Sequence, residues 1–440
     1  MITFPGISSV IKNYNFSENA FLPSLVTVPL VMEKDAPCKP VVSKGDIVAE
    51  GDVIAVPESH SLRAKIHSPV PGVVEDIVSV LCPNGKPEIA VRIRMKGSFS
   101  YLGKKPSVKQ WENLLPKSIT EKLAEYGVLN TYYVTNPVSL SYEIEQVSKK
   151  STKCLIVRMF DEDPVRITDS LVTKLYLEEV KKGAYITARA LNADGILYVF
   201  GADFLTKEEI GKAHDMEKDE KVLVMNTRKY PCGYKKEICN LFKKSFKKEK
   251  TFSVREDDLF VDASTMYEVY KAIELDTPVI DKKVHFSGNC LKANCFLNVK
   301  IGSSLKNVVE QLGGFDIKPY LIVINGHMTG YSVQSLDVPI TKYIKSVAFL
   351  SKNRKPDQYV YECISCGNCR NICSRGLTPD LLYRYKTENF PLPEEYILSA
   401  ASCAGCSMCN TVCPSRIPLS QIISSIRQSV TVDFSEEEND

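Results

Sequence analysis

Between residues 25 and about 100, apolar and polar positions alternate in short runs, VVSKGDIVAEGDVIAV and then AKIHSPVPGVVEDIVSV. Alternation of period two marks strands with one buried face, and Gly45-Asp46, Gly51-Asp52 and Pro71-Gly72 punctuate the runs as turn signals. The two halves read as related hairpins of a small β-sandwich. From about 105 to 255 the period changes. Short continuous apolar runs at 154–157, Gly195–Gly201 and 222–225 are separated by helix-periodic segments at 169–192, 205–217 and 234–246. Strands alternating with helices predict a parallel sheet covered by helices, with any cofactor at the carboxyl ends of the strands, near 158–168, 201–204 and 226–233. Residues 256–350 mix strand-like runs at 283–287, 296–299 and 320–324 with one helix at 304–312 closed by Gly313-Gly314, the pattern of a compact α+β module with Cys290 and Cys295 in its loop. After the linker SKNRKPDQ, Thr378-Pro379-Asp380 predicts a helix start with threonine as cap and proline first inside, and a second helix follows Pro393-Glu394-Glu395.

The 440 residues are too many for one core. The patterns divide them into an N-terminal arm (1–24), the β-sandwich (25–100), the α/β domain (101–255), the α+β module (256–350), a mostly helical cysteine-rich domain (351–425) and an acidic tail expected to be disordered (426–440). The net charge of +3 gives no electrostatic case for nucleic acid. The lysines of 228–250 lie at helical spacing opposite Ile238, Leu241 and Phe242, which makes them a solvated helix face. The start MITFPGISSVIKNYNF lacks the basic and continuous apolar regions of a secretory signal, so the protein is expected in the cytoplasm. No run approaches the ~18 apolar residues of a membrane span; the most apolar stretch, 184–201, is broken by Arg189, Asn192 and Asp194. Any membrane role would come through docking to subunits that cross the bilayer.

Chemistry enters with the cysteines. Eight of the fifteen form two copies of one pattern, Cys363-x2-Cys366-x2-Cys369-x3-Cys373 and Cys403-x2-Cys406-x2-Cys409-x3-Cys413, the second followed by Pro414. This is ligand spacing for two [4Fe–4S] clusters, because three cysteines spaced three apart can take three corners of a cubane and the fourth comes from elsewhere. In the two-cluster ferredoxin arrangement each motif's last cysteine ligates the other cluster. That rule assigns Cys363, Cys366, Cys369 and Cys413 to one centre and Cys403, Cys406, Cys409 and Cys373 to the other. A pair of structural zinc sites is the competing reading, and the tight triplets with a trailing fourth thiol favour iron–sulfur. Such centres carry single electrons. The remaining cysteines (Cys38, Cys82, Cys154, Cys232, Cys239, Cys290, Cys295) form no ligand set and read as buried thiols, and none of the five histidines forms a metal-spaced pair or a catalytic dyad.

The front sandwich resembles biotinyl and lipoyl carriers, although its tip, Glu58-Ser59-His60-Ser61-Leu62-Arg63, carries serine about where their acceptor lysine falls, so a docking role is expected. In the order β barrel-sandwich, Rossmann-like α/β domain, small β-grasp-like α+β module and C-terminal helical di-cluster ferredoxin domain, residues 25 to 425 resemble the C subunit of the Rnf electron transport complex. The segments that carry this most specifically are IHSPVPGVV, Arg166-Ile167-Thr168-Asp169, Arg228-Lys229-Tyr230-Pro231 and Leu336-Asp337-Val338-Pro339-Ile340-Thr341-Lys342. The A subunit of the sodium-pumping NADH:quinone reductase resembles the front of the chain but lacks the cubanes. The resemblance implies a peripheral subunit on the cytoplasmic face of the cell membrane, partnered by integral membrane and redox subunits. It would pass electrons between NADH or ferredoxin and those subunits through FMN and two clusters, in a complex that couples this flow to ion movement.

The chain departs from that family where flavin is expected. A GGAGFPT-type segment is replaced at 127–137 by Gly-Val-Leu-Asn-Thr-Tyr-Tyr-Val-Thr-Asn-Pro, and Tyr132 and Tyr133 obstruct a close backbone approach. The NGAECEP-type flavin loop corresponds to Arg158-Met159-Phe160-Asp161-Glu162-Asp163-Pro164, so the resemblance implies Asp161, Glu162 and Asp163 as the cofactor-binding residues. A double glycine has become Cys232-Gly233-Tyr234. Cubanes alone cannot split a hydride into single electrons; without FMN the chain would be a relay fed by a one-electron donor such as ferredoxin. The alternatives are a soluble iron–sulfur flavoprotein resembling cobalamin reductases, and a scaffold subunit that has lost its cofactor.

Overall fold

Alternation builds the front of the protein as expected. Four antiparallel strands, in the order Leu25–Pro29, Pro87–Met95, Gly72–Leu81 and Ile47–Val48, form one sheet, and Cys38–Pro40, Val53–Pro57 and Ile66–His67 form a second. Their inward positions, among them Val26, Val28, Ile54, Ile66, Val74, Val91 and Ile93, are all buried. The two related turns are fastened alike: Asp46 accepts the Ser43 amide and Asp52 the Ala49 amide, both at 2.7 Å. Pro71 ends a bend at 69–71, and Gly72 opens the strand Gly72–Leu81 in the other sheet. The computed structural model describes residues 2–3, 15–33, 36–96, 108–202, 219–247, 253–352 and 359–437. The helix expected at 205–217 lies outside them, as does half of the arm at 1–24.

The buried runs of the middle region form a four-stranded parallel sheet in the order Glu220–Met225, Gly195–Gly201, Cys154–Arg158, Leu259–Asp262. The fourth strand corrects the boundary expected at 255: Leu259–Asp262 pairs with Cys154–Arg158, and the helix Ala263–Ile273 packs beside Leu177–Leu191 on the same layer. The single helix expected at 169–192 is two helices, Thr168–Leu175 and Leu177–Leu191, broken at Tyr176 with φ −137° and ψ 39°. There a tertiary contact overrides the helical period, because the Tyr176 ring packs on Tyr267 and its hydroxyl accepts from Lys283 Nζ at 3.1 Å.

Beyond it, a six-stranded mixed sheet runs Asn15–Asn19, Cys295–Lys300, Asp281–Ser287, Ser346–Leu350, Leu321–Ile324, Tyr331–Val333. Part of the expected N-terminal arm is therefore an edge strand, and Cys295 begins a strand instead of lying in a loop. The helix Leu305–Gln311 starts on Ser304, whose hydroxyl accepts the Asn307 amide at 3.2 Å.

The described residues fall into two compact units. One comprises Ile2–Thr3, Lys229–Tyr234 and the chain from residue 359 on; the other holds the remainder. The C-terminal unit is helical, with Pro379–Glu388 and Leu419–Glu437 packed around Leu382, Ala400, Ile423, Ile426 and Val430. Pro379 does open its helix, but the Thr378 hydroxyl makes no capping bond, its backbone ψ of 74° being far from the extended value of a capping residue. The last helix runs on to Glu437, through most of the segment 426–440 expected to be disordered. Among the described residues no helix is long and apolar enough to cross a membrane.

Gly183 marks a close helix crossing, since a Cβ there would lie 1.9 Å from the Met266 carbonyl oxygen. Gly183→Ala should therefore cost about 1–3 kcal/mol through overpacking, read as a lowered urea midpoint with an unchanged slope.

Candidate functional site

The two cysteine motifs fold into the same backbone. In each, the residue two after the first cysteine (Ser365, Gly405) and the one just after the second (Gly367, Ser407) are left-handed, and a third left-handed residue (Gly376, Arg416) lies three beyond the last cysteine. Reversals at these points wind the chain so that three thiols face one concavity, the third from the first turn of a short helix, Asn368–Ile372 or Met408–Thr411.

The fourth thiol crosses over. One cavity is lined by Cys363, Cys366, Cys369 and Cys413. A second is lined by Cys373, Cys403, Cys406 and Cys409. Equivalent ties hold the crossover: the Ser415 hydroxyl donates to the Glu362 carbonyl at 2.7 Å beside the first cavity, and Arg375 Nε donates to the Ser402 carbonyl at 3.0 Å beside the second. Tyr230, from the tyrosine–proline segment, donates its hydroxyl to the Cys406 carbonyl at 2.7 Å.

Among the described residues no three Cys, His, Asp or Glu side chains are grouped closely enough to hold a single ion. A zinc ion needs its sulfurs about 2.3 Å from one point, whereas a cubane spreads four thiolates around a larger core. Four thiols lining one shared hollow, not clustered tightly on a point, fit the second demand. Burial pushes the Cys369 thiol up to about 11, aided by Asp380, and the Cys409 thiol up to about 12. Burial also raises Cys403, against the pull of the Arg427 and Arg375 charges. A metal centre here would have to displace those protons. None of the other seven cysteines lines either cavity; six of them are buried and Cys38 partly so.

The carboxyl ends of the parallel strands carry a different construction. Arg158, last residue of its strand, is fully buried; it donates to the Tyr132 carbonyl at 2.9 Å and pairs with Glu162 at 2.6 Å while its guanidinium stacks 4.1 Å from the Tyr132 ring. Arg166 pairs with Glu162 and, at 3.0 Å, with Asp161. Asp161 also accepts the Asp169 and Ser170 amides, and Asp163 accepts the Met328 amide at 2.8 Å and the Thr329 amide at 3.0 Å. Lys345 bridges Asp169 and Asp262 at 2.7 Å each, and Asp262 caps its helix through the Thr265 amide. Burial works to raise Glu162, but Arg158 and Arg166 prevail and hold it low; burial and the neighbouring Asp262 raise Asp169.

These residues do not fit a flavin. Asp161, Glu162 and Asp163, which the sequence singled out, are buried and engaged by protein donors, and Tyr132, Phe160, Arg158 and Arg166 fill the space around the strand ends. Sequence reasoning named Arg158 and Glu162 in one loop and Arg166 and Asp169 in one segment but missed Lys345, which bridges Asp169 to Asp262, for nothing local to any of these three signals the contact.

A sandwich-fronted, modular α/β protein with two thiol-lined cavities in a helical end is the class that fold and site define. The family model described as the RnfC barrel sandwich hybrid domain matches residues 12–98. The C subunit of the ion-translocating oxidoreductase complex of Rhodobacter capsulatus is 26% identical over 365 residues, covering 81% of this chain and 69% of that protein. The C subunit of the proton-translocating ferredoxin:NAD(+) oxidoreductase complex of Clostridium ljungdahlii is 26% identical over 367 residues (83% and 79%), and its Na(+)-translocating counterpart in Acetobacterium woodii is 22% identical over 371 (83% and 82%). The chain is an RnfC-like protein.

Replacing Lys345 by methionine should strand two buried carboxylates. A loss of about 3–5 kcal/mol in unfolding free energy is expected, measured by urea denaturation; a change below about 1 kcal/mol would show that the bridge is not buried as described.

Proposed function

We propose that this chain is an electron-transfer subunit of an Rnf-type ion-translocating complex. It relays single electrons through two [4Fe–4S] centres and has no flavin of its own. The observation that carries the reading is the crossed lining of the cavities, three thiols from one motif and the fourth from the other in both. Cys363, Cys366, Cys369 and Cys413 hold one centre; Cys373, Cys403, Cys406 and Cys409 hold the other. When bound, each centre supplies one-electron redox chemistry with no open coordination position. The protein's part is to converge the thiols, exclude water from Cys369, and fix the spacing of the centres through the ties at Ser415 and Arg375.

The relatives' names supply the setting: complexes that exchange electrons between ferredoxin and NAD and translocate an ion. In that setting the chain is peripheral, on the cytoplasmic face of the membrane, docked to integral subunits and exchanging electrons with a ferredoxin or with a flavin held elsewhere. The barrel-sandwich domain at the front supports this over a soluble cobalamin-reductase-like enzyme. The filled strand ends support a relay over a hydride acceptor, since splitting a hydride requires a cofactor such as flavin.

The test is cofactor content on anaerobically isolated protein, and the expected result is about eight iron and eight sulfide per chain, with no flavin and no zinc. Cys413→Ala should remove the centre of Cys363, Cys366 and Cys369 although it lies in the other motif, and Cys373→Ala should remove the other, each leaving about half the iron. Zinc without sulfide, or iron loss following the motif that holds the substitution, would sink the reading.

A further inference from the structure

The two cavities share a backbone but not an electrostatic environment. Equivalent positions of the two repeats reach both walls. In the first, Asp380 is 5% exposed and lines the cavity, with Oδ1 3.8 Å from Cys369 Sγ. The same position in the second repeat is Ser420, which lines the second cavity, and its hydroxyl bonds to that of Ser407 at 3.1 Å. The partner position differs in the same sense. Arg370 meets Asp380 through Nε at 2.7 Å and Nη2 at 2.6 Å, where Asn410 accepts the Ser420 amide at 2.8 Å. One wall therefore carries a carboxylate pointed at a ligand sulfur, and the other a neutral hydroxyl.

The remaining neighbours widen the difference. Beside the second cavity, Arg427 donates to the Cys403 carbonyl at 3.1 Å and Arg375 to the Ser402 carbonyl at 3.0 Å, bringing two cations to that thiol. The Leu377 and Gly405 amides donate to Cys373 and Cys403 sulfurs, both at 3.4 Å. Cations and N–H···S bonds favour the reduced form of a cluster, which bears one more negative charge, and a fixed carboxylate opposes it.

Two effects run the other way at the first cavity. Arg370 offsets part of the Asp380 charge, but its side chain is 44% exposed while Asp380 is buried, so water screens the cation more than the anion. Cys366 is exposed, and solvent there stabilises added charge. That acts at one corner from outside, whereas Asp380 touches a ligand sulfur from within.

We infer that the Asp380/Ser420 difference sets the two centres at different potentials, with the centre held by Cys363, Cys366, Cys369 and Cys413 the more reducing. The inference rests on the two-centre reading above. Asp380 is a tuning residue: it holds no iron and acts through the charge it presents to Cys369. The pair then has a built-in downhill direction, and a one-electron donor of low potential is served by the Asp380 side.

The experiment is an anaerobic redox titration of the full-length holoprotein, followed by electron paramagnetic resonance, with iron and sulfide measured on every sample. Wild-type protein should show two one-electron waves. Asp380→Asn should move the more negative wave to higher potential and leave the other in place, and Asp380→Glu, which keeps the charge, should stay near wild type. Ser420→Asp, the reciprocal change, should draw the more positive wave down. Holoprotein without two cubanes would overturn the two-centre reading and this inference together. Two cubanes with coincident waves, or an Asp380→Asn variant that keeps full iron and moves neither wave or only the more positive one, would overturn this inference alone.

Discussion

Neither thiol-lined cavity can be completed by one motif. Cys413 follows the second triplet in sequence but faces the first cavity, and Cys373 does the converse, so each fourth wall depends on the other half being folded. That interleaving explains what surrounds it. Left-handed corners recur at matching positions because each triplet must make the same tight winding. Leu382, Ala400, Ile423, Ile426 and Val430 form one core between the helices of both halves, and Ile417 and Leu419 pack against the cysteine loops themselves. A small domain with so little apolar core relies on the convergence of its ligands for part of its definition.

The grouping of the cysteines around two cavities was legible in the sequence because its signal is local: spacings of three, repeated, with crossover following from the two-cluster rule. The front sandwich was legible for the same reason, as alternation and turn aspartates are short-range features. What stayed hidden depends on residues far apart in the chain. Lys345 meets Asp169 across 176 positions and Asp262 across 83. The break at Tyr176 is imposed by Tyr267 and Lys283, not by a helix breaker, and the strand Leu259–Asp262 joins the parallel sheet after an intervening stretch that suggested a domain boundary. In each case tertiary contact decided against local pattern.

The two repeats also show how a shared backbone is made to behave unequally. Asp380 and Ser420 occupy equivalent places on the two walls, and so do Arg370 and Asn410, so the duplication kept the geometry while the charge diverged. A relay of two identical centres would have no preferred direction of its own. On the two-centre proposal, the Asp380/Ser420 difference would supply one without changing a cysteine, since the sulfurs and the winding stay as they are.

The strand ends present the complementary case, in which acids characteristic of a ligand loop have been turned inward. Arg158, Arg166 and Lys345 are set among Asp161, Glu162, Asp169 and Asp262, all buried, and each cation is paired at hydrogen-bond distance. Buried charge persists only when answered in this way. Carboxylates outnumber cations in the cluster, and the raised Asp169, disfavoured as an anion by burial and by Asp262, is where that surplus falls. A flavin phosphate would add further negative charge to a network already short of cations and would have to displace the Tyr132 ring stacked on Arg158. Charge balance and packing thus both disfavour a flavin at these strand ends, in keeping with the proposal that the thiol-lined cavities of the C-terminal unit carry the electrons.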